Sequence, residues 1–322
     1  MKESVLKNIL SNLRAFLTIN IRRRINENTK TSKEIEALLD DKLFCVDVLN
    51  YYAFHQKEAL GYQKELELLS RVGKYCVFPY EPEKEMSHID YGVDRESKMP
   101  YVVHKNHTLF FPSCFSAESA VEMYKNYVLV EKLLGVDEAE GAPHQYQSHR
   151  VKVEEGDVLY DIGAAEGLFA LDNIDKASKV VLLEGDFKWR GALEKTFAPF
   201  PDKVKIIGKY VAEINSDASV SLTKLLSEAE GSSFFVKMDI EGCEVSVIRA
   251  AKDFLKNTDK VVKFAAASYH KQQDYDELKS LFDQMGYVTE SSNGYMLYHL
   301  YDTPVPPFFR KGIIRAKNSV EA

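Results

Sequence analysis

Apolar positions along the chain change their period partway. Val5, Leu6, Ile9, Leu10, Leu13, Phe16 and Leu17 recur at the spacing of one helix face and predict a helix over Val5–Ile21. A second helical run begins near Thr31-Ser32 and carries Ile35, Leu38, Leu39, Leu43, Val46 and Leu49 into Tyr51-Tyr52. A third covers Lys57–Arg71 and stops at Gly73, the residue type favoured just past a helix end. The stretches Tyr75–Pro82 and Met99–Pro112 then read as short strands edged by prolines. A helix is predicted over Glu118–Leu134, after Ser116, and Gly135–Ser148 reads as a polar connector.

Beyond the connector, strands and helices alternate. Strands Val158–Asp161, Val180–Glu184, Val204–Lys209, Phe234–Asp239 and Val261–Ala267 are each followed by a helical stretch. Tyr287–Thr289 and Met296–Tyr301 predict a closing hairpin around an Asn-Gly turn at Asn293-Gly294. Such alternation with apolar strands implies an α/β, doubly wound, mostly parallel seven-stranded sheet with helices on both faces and one antiparallel strand. The expected domains are 1–148, a helical and mixed region serving as lid, substrate layer or oligomerisation surface, and 149–322, the catalytic domain. Ligands in such sheets lie beyond the carboxyl ends of the strands, so the chemistry is sought there.

The first strand runs through VLYDIGAAEGLFAL (Val158–Leu171), a strand, a tight turn and a helix start whose free N–H groups point at the turn. Asp161, Gly163, Ala164, Ala165, Glu166 and Gly167 form the candidate cofactor turn. A dinucleotide fingerprint would need a glycine at or near Ile162; here a carboxylate ends the strand instead. Strand two ends at Glu184, whose two oxygens suit ribose hydroxyls, with Gly185 and Asp186 beside it. A nicotinamide enzyme would place an acid similarly, so Glu184 by itself leaves both nucleosides open.

Strand four ends in FFVKMDIEGCE, bringing Lys237, Asp239, Glu241 and Glu244 close together. The helix dipole accounts for Glu244, whereas Asp239 and Glu241 face the expected pocket and are candidate catalytic groups. A metal held by these two acids plus another oxygen ligand is the less favoured reading, and no metal is assigned. Strand five leads to Tyr269 and His270, and His270 is the candidate general base. Asp239 is counted with the cofactor turn as well.

Bulk properties narrow the class. The chain has 322 residues and a net charge of -7, which argues against a general nucleic-acid binder. Its four cysteines show no metal-ligand spacing and fit reduced thiols of a cytoplasmic protein. No apolar run reaches the ~20 residues of a membrane span, and no signal peptide is indicated. Lys2, Lys7, Arg14 and Arg22-Arg23-Arg24 make the first helix basic; it packs on the body or on a second copy of the chain, or else touches a membrane surface.

With GDVLYDIGAAEGLFAL, VVLLEGD, FFVKMDIEGCEVSVIRAA and ASYHKQQD in view, the chain resembles the FkbM-like family of methyltransferases over Val151–Tyr287. The most diagnostic piece is K-x-D-x-E-G-x-E at Lys237, Asp239, Glu241, Gly242 and Glu244; Cys243 stands where the family often has alanine. The resemblance implies a class I Rossmann-like methyltransferase domain. It implies S-adenosylmethionine (SAM) as cofactor, whose amino group and positive charge suit Asp161. The acceptor it implies is a hydroxyl of a glycan, a glycan precursor or a natural product.

Overall fold

The computed structural model describes residues 32–72, 77–78, 88–136, 142–298 and 305–318. The chain divides into two units, Met1–Pro79 and Tyr80–Ala322. In the first, α1 (Ser32–Phe54) buries Leu39, Cys45, Val48 and Tyr52, and α2 (Gln63–Val72) buries Leu68 and Leu69. The two helices pack on each other, and a Tyr52–Tyr62 ring contact of 5.4 Å closes the turn between them. The basic helix expected at Val5–Ile21 lies outside the described residues, as does most of the strand expected at Tyr75–Pro82.

The second unit opens with three antiparallel strands, β1 (Tyr91–Val93), β2 (Pro100–His104) and β3 (His107–Phe110). The stretch expected as one strand over Met99–Pro112 is thus a hairpin, turned at Lys105-Asn106. Next, α3 (Ala117–Lys125) starts at Ser116, whose side chain accepts from the Ser119 amide. Its last turn widens into a π-helical stretch, Asn126–Val130.

The body follows in order: β4 (Val158–Ile162), α4 (Leu168–Asp172), β5 (Lys179–Leu183), α5 (Phe187–Phe197) and β6 (Val204–Ile207). A small ladder of β7 (Tyr210–Ala212) and β8 (Ser219–Ser221) leads to α6 (Leu222–Ser227). Then come β9 (Ser233–Met238), α7 (Glu244–Ala250), α8 (Lys252–Asn257), β10 (Val261–Ala267) and α9 (Asp274–Gln284). The chain continues through β11 (Val288–Ser291), β12 (Met296–Leu297), β13 (Phe309–Arg310) and β14 (Ile313–Lys317). The seven-stranded sheet has the order β6-β5-β4-β9-β10-β14-β11, and β14 runs antiparallel to both its neighbours. Its central strands are largely apolar because they are buried: Val236, Phe264 and Ile314 on one face are fully buried with Leu278 and Phe282 of α9.

Two expectations need correction. The closing hairpin does not form: β11 pairs with β14, while Met296–Leu297 pairs with Phe309–Arg310. The strand that fills the sheet, Ile313–Lys317, contains Arg315, which interrupts the apolar run and hides the strand from pattern reading. Arg315 is nevertheless fully buried, because its guanidinium donates to the carbonyls of Gln145 (2.7 Å) and Tyr146 (3.1 Å) and pairs with Glu290 at 3.3 Å.

The second correction concerns the connector, where residues 142–148 are buried rather than exposed. The three-stranded sheet falls in the second unit, on the same side of the Pro79/Tyr80 division as the main sheet. Hydrogen bonds explain it. The Phe110 amide donates to Thr196 Oγ1 (2.9 Å), and His104 meets Asp172 at 2.8 Å, so the three-stranded sheet is fastened to α5 and α4.

A buried lysine pins the base of the sheet. Lys263 on β10 is fully buried, with Nζ 2.6 Å from Asp157 Oδ2 and 2.7 Å from Glu154 Oε2. Removing one partner of such a pair strands a buried charge, at about 3–5 kcal/mol. Lys263→Met is therefore expected to lower the melting temperature by roughly 10 °C, as read by calorimetry. A shift of no more than about 2 °C would show that Asp157 is adequately held by the Ser233 hydroxyl alone.

Candidate functional site

The turn after β4 is shaped by contacts rather than by openness alone. Gly163 has φ +74°, and a Cβ on it would overlap the Asp239 carbonyl oxygen, so only glycine lets the ends of β4 and β9 approach this closely. Lys237 Nζ donates to the Gly163 carbonyl (2.6 Å) and pairs with Asp161 Oδ1 (3.1 Å). Burial alone would lower the Lys237 pKa, but the Asp161 and Asp239 charges outweigh it and hold the ammonium protonated. Asp161 is 1% exposed and its pKa is raised by burial, with Lys237 opposing. It therefore faces Lys237 within the body, and its action on a ligand passes through the turn that Lys237 holds.

Glu166 is also buried, and burial pushes its carboxyl up to about 7 despite nearby Lys237. Burial raises the pKa of the neighbouring Tyr127, and the Glu166 charge adds to the rise. Ala165 takes φ +46°, which presents its amide to Glu184 Oε2 at 2.8 Å. Glu184 Oε1 accepts from the Asp186 amide at 2.7 Å. Each carboxylate oxygen can accept more than one bond, so the half-buried Glu184 retains capacity for a ligand hydroxyl. Gly185 lies under the ring of Tyr210, where a Cβ would collide with the ring. Tyr210 and Phe187 are both exposed beside this strand end. Asp186 caps α5 by accepting from the Lys188 amide, so its first duty is to the helix.

The end of β9 carries an alternating row of acids and imidazoles. Glu131 Oε2 lies 2.7 Å from His144 Nδ1, and His144 Nε2 lies 3.1 Å from Asp239 Oδ2. Asp239 Oδ1 lies 3.5 Å from His270 Nε2, and His270 Nδ1 lies 3.3 Å from Glu244 Oε1. The Tyr146 hydroxyl donates to Asp239 Oδ2 at 2.7 Å, and the Tyr269 hydroxyl stands 3.5 Å from both Asp239 oxygens. Glu241, with φ +59° and a largely exposed side chain, reaches His270 Nε2 at 3.5 Å.

The charges of this row lock one another. Burial would raise the Asp239 pKa, but the His144 hydrogen bond and the imidazolium charges outweigh it and keep it well below the carboxylate range. Burial would lower the His144 pKa, yet its bonds to Asp239 and Glu131 hold it at about 9. His270 is likewise raised: burial opposes protonation, while Glu244, Asp239 and Glu241 favour it. At neutral pH His144 is therefore a cation, and Asp239 is an anion that orients donors rather than a proton carrier.

The structure thus brings Asp239, Glu241 and His270 together, and joins Glu184 to Ala165. Asp161 and Glu166 lie buried behind the turn. Glu131, His144 and Tyr146 were not foreseen as site residues. His144 comes from 95 positions before Asp239, and no periodic pattern marks it. The available signal was composition: PHQYQS holds three polar amide or imidazole side chains and no charged one. Glu244, assigned to the helix dipole, both accepts from the Ile240 amide (2.7 Å) and faces His270. Asp239, Glu244 and His270 also offer ligand atoms all within 4.8 Å of one another, the spacing of a cation site.

The His144 pairings couple folding to pH. A group held at about 9, against 6.5 in the unfolded chain, adds stability that is fully present below pH 6.5 and is lost as pH rises through 9. The expected contribution is roughly 3 kcal/mol at most. Unfolding free energies of wild type and His144→Gln, measured by urea titration from pH 6 to 10, should converge as pH rises. Parallel curves would mean that His144 is not charged in the folded state.

The chain matches no known protein-family profile, and no curated protein sequence matches it. Among solved structures it is similar to methyltransferase FkbM from Methylobacillus flagellatus KT, at 18% identity and a TM-score of 0.40, covering 53% of this chain and 46% of that one. It is similar also to precorrin-6y C5,15-methyltransferase from Geobacter metallireducens GS-15, at 14% identity and a TM-score of 0.33, covering 52% and 84%. A third is Trm5b from Pyrococcus abyssi, at 16% identity and a TM-score of 0.32, covering 71% and 62%. The chain spans about half the length of the first of these.

Proposed function

We propose that this chain is a SAM-dependent methyltransferase acting on a hydroxyl group, with a sugar, glycan precursor or natural product as acceptor. The observation that carries the reading is the pairing of Glu184 Oε2 with the Ala165 amide (2.8 Å), which joins a strand-end carboxylate to a small-residue turn on the neighbouring parallel strand. A nucleoside fits that junction: Glu184 accepts ribose hydroxyls, and exposed Tyr210 and Phe187 offer faces for a base. The Gly163–Gly167 turn would hold the amino-acid end. SAM, when bound there, supplies a methyl group on a sulfonium.

The chain's own residues position the acceptor and take up its proton. The Asp239 row stands at the adjacent strand end, so an acceptor hydroxyl there is oriented by Asp239, Tyr269 and Glu241. As oxygen gains the methyl group its proton must leave, and neutral His270 accepts it at Nε2. Because the surrounding carboxylates raise His270, its base form is populated above the ordinary pH. The acids and the tyrosine rings support a polyhydroxylated acceptor, since carboxylates take hydroxyl donors and aromatic rings cover sugar faces. Residues 1–148 are proposed to serve as a lid, a substrate layer or an oligomerisation element.

Titration calorimetry with SAM, S-adenosylhomocysteine and NAD(H) tests the cofactor class directly. Binding of the adenosyl pair alone supports the reading, and binding of NAD(H) alone favours an oxidoreductase. Glu184→Ala is expected to weaken SAM binding by tenfold to a hundredfold or so, the worth of charge-assisted bonds. An affinity within about twofold of wild type removes Glu184 from the site.

The pH dependence of turnover checks the base. The logarithm of kcat should rise with pH and level off above the unperturbed ~6.5, since both imidazoles are raised. His270→Gln should keep SAM affinity and lose about 10²–10⁴-fold in kcat. A variant retaining the wild-type rise would exclude His270 as the base.

A further inference from the structure

One face of the main sheet is incompletely covered. On β4, β5 and β6 the residues Tyr160, Val181 and Ile207 lie on the same face, as the register pairs Tyr160 with Val181 and Leu183 with Ile207. The stretch that should roof them is short: α6 has six residues, and the β7–β8 ladder stands to one side. A groove of about 550 Å³ remains between this face and the roof. Val181, Ile207, Val220, Leu225 and Ala229 line it and are only half-buried, although each packs on the core. No residue of the strand-end acid–imidazole row lines it.

Charge around the groove has one dominant sign. Lys179, Lys205, Lys209 and Lys224 line it against Glu228 and Glu230. Lys179 is neutralised by Glu230 at 2.7 Å. Lys209 donates to the Ser216 carbonyl at 3.0 Å, which leaves its charge uncompensated. Among the described residues, Lys205 and Lys224 have no carboxylate within ion-pair distance, and both are exposed. An apolar floor of this size is large enough for a small organic ligand. Unpaired ammoniums on alkyl stems at its edge favour one that is anionic.

We propose that this groove is a second binding site, which takes an amphipathic organic anion: an apolar chain or ring laid on Val181, Ile207 and Leu225, with its acid group held by Lys205 and Lys224. A carboxylate and a phosphate ester share this chemistry. The site is separate from the strand ends, so its ligand binds alongside the nucleoside and acceptor. It does not depend on the methyl-transfer reading.

The test is titration calorimetry of the full chain with decanoate, decyl phosphate, decanol and decylammonium, in the presence of saturating S-adenosylhomocysteine. Each probe is kept below its micelle concentration. Decanoate or decyl phosphate is expected to bind about tenfold or more tighter than decylammonium, as two exposed charge contacts would give. The tighter of the two anions identifies the acid group. Lys205→Glu/Lys224→Glu, two exposed changes on an unaltered fold, should abolish the preference for anions and leave the melting temperature unchanged. Equal affinity for all head groups would overturn the proposal and leave a non-selective apolar cleft. So would an anion preference that survives the double variant, or the absence of binding by every probe. Sedimentation of both proteins without probe adds the remaining arm: a wild-type dimer that the double variant dissociates would assign the groove to a second copy of this chain.

Discussion

The site rests on the cost of keeping one carboxylate ionised out of water. Asp239 stands at the end of a central strand, with its side chain only 15% exposed. A buried anion is tolerable only when donors and positive charge surround it. His144, Tyr146, Tyr269 and His270 meet that demand from two directions, two before β4 and two after β10. Glu131 and Glu244 then balance the imidazoles from outside. Removing any member leaves a buried charge on its neighbour, which is why residues far apart in sequence behave as one group.

The same economy governs the turn beside it. Lys237, Asp161 and the Gly163 carbonyl form a closed set inside the body, leaving Ala165 and Glu184 to face outward. The rigid part of the site is thus ionic and buried, and the part proposed to meet a ligand is backbone and a half-buried acid. This division fits a protein whose chemistry depends on placement more than on a strong base.

Much of this was legible in the chain, and the failures have physical causes. The strand–turn–helix at Val158–Leu171 and the acids ending strands two and four follow from period and position, and the structure places them on adjacent strands. Strand Ile313–Lys317 was missed because Arg315 looks like a surface residue until the carbonyls that satisfy it are known. His144 was missed for a related reason. A polar connector reads as exposed because loops usually are, and nothing local reveals that a distant carboxylate draws it inward. Pattern reading sees faces of elements. It does not see long-range pairings between polar groups.

Arg315 also ties time to space. Its guanidinium grips the carbonyls of Gln145 and Tyr146, while the Ser292 hydroxyl donates to Pro143 at 2.5 Å. The connector that carries His144 is therefore held by residues 149 to 170 positions further along the chain. Contacts across such separations form late, because the intervening loop must close first. On a ribosome the turn at Gly163 emerges and can pack well before the His144 imidazole has an anchor. Until β14 slots between β10 and β11, a newborn chain owns half a site.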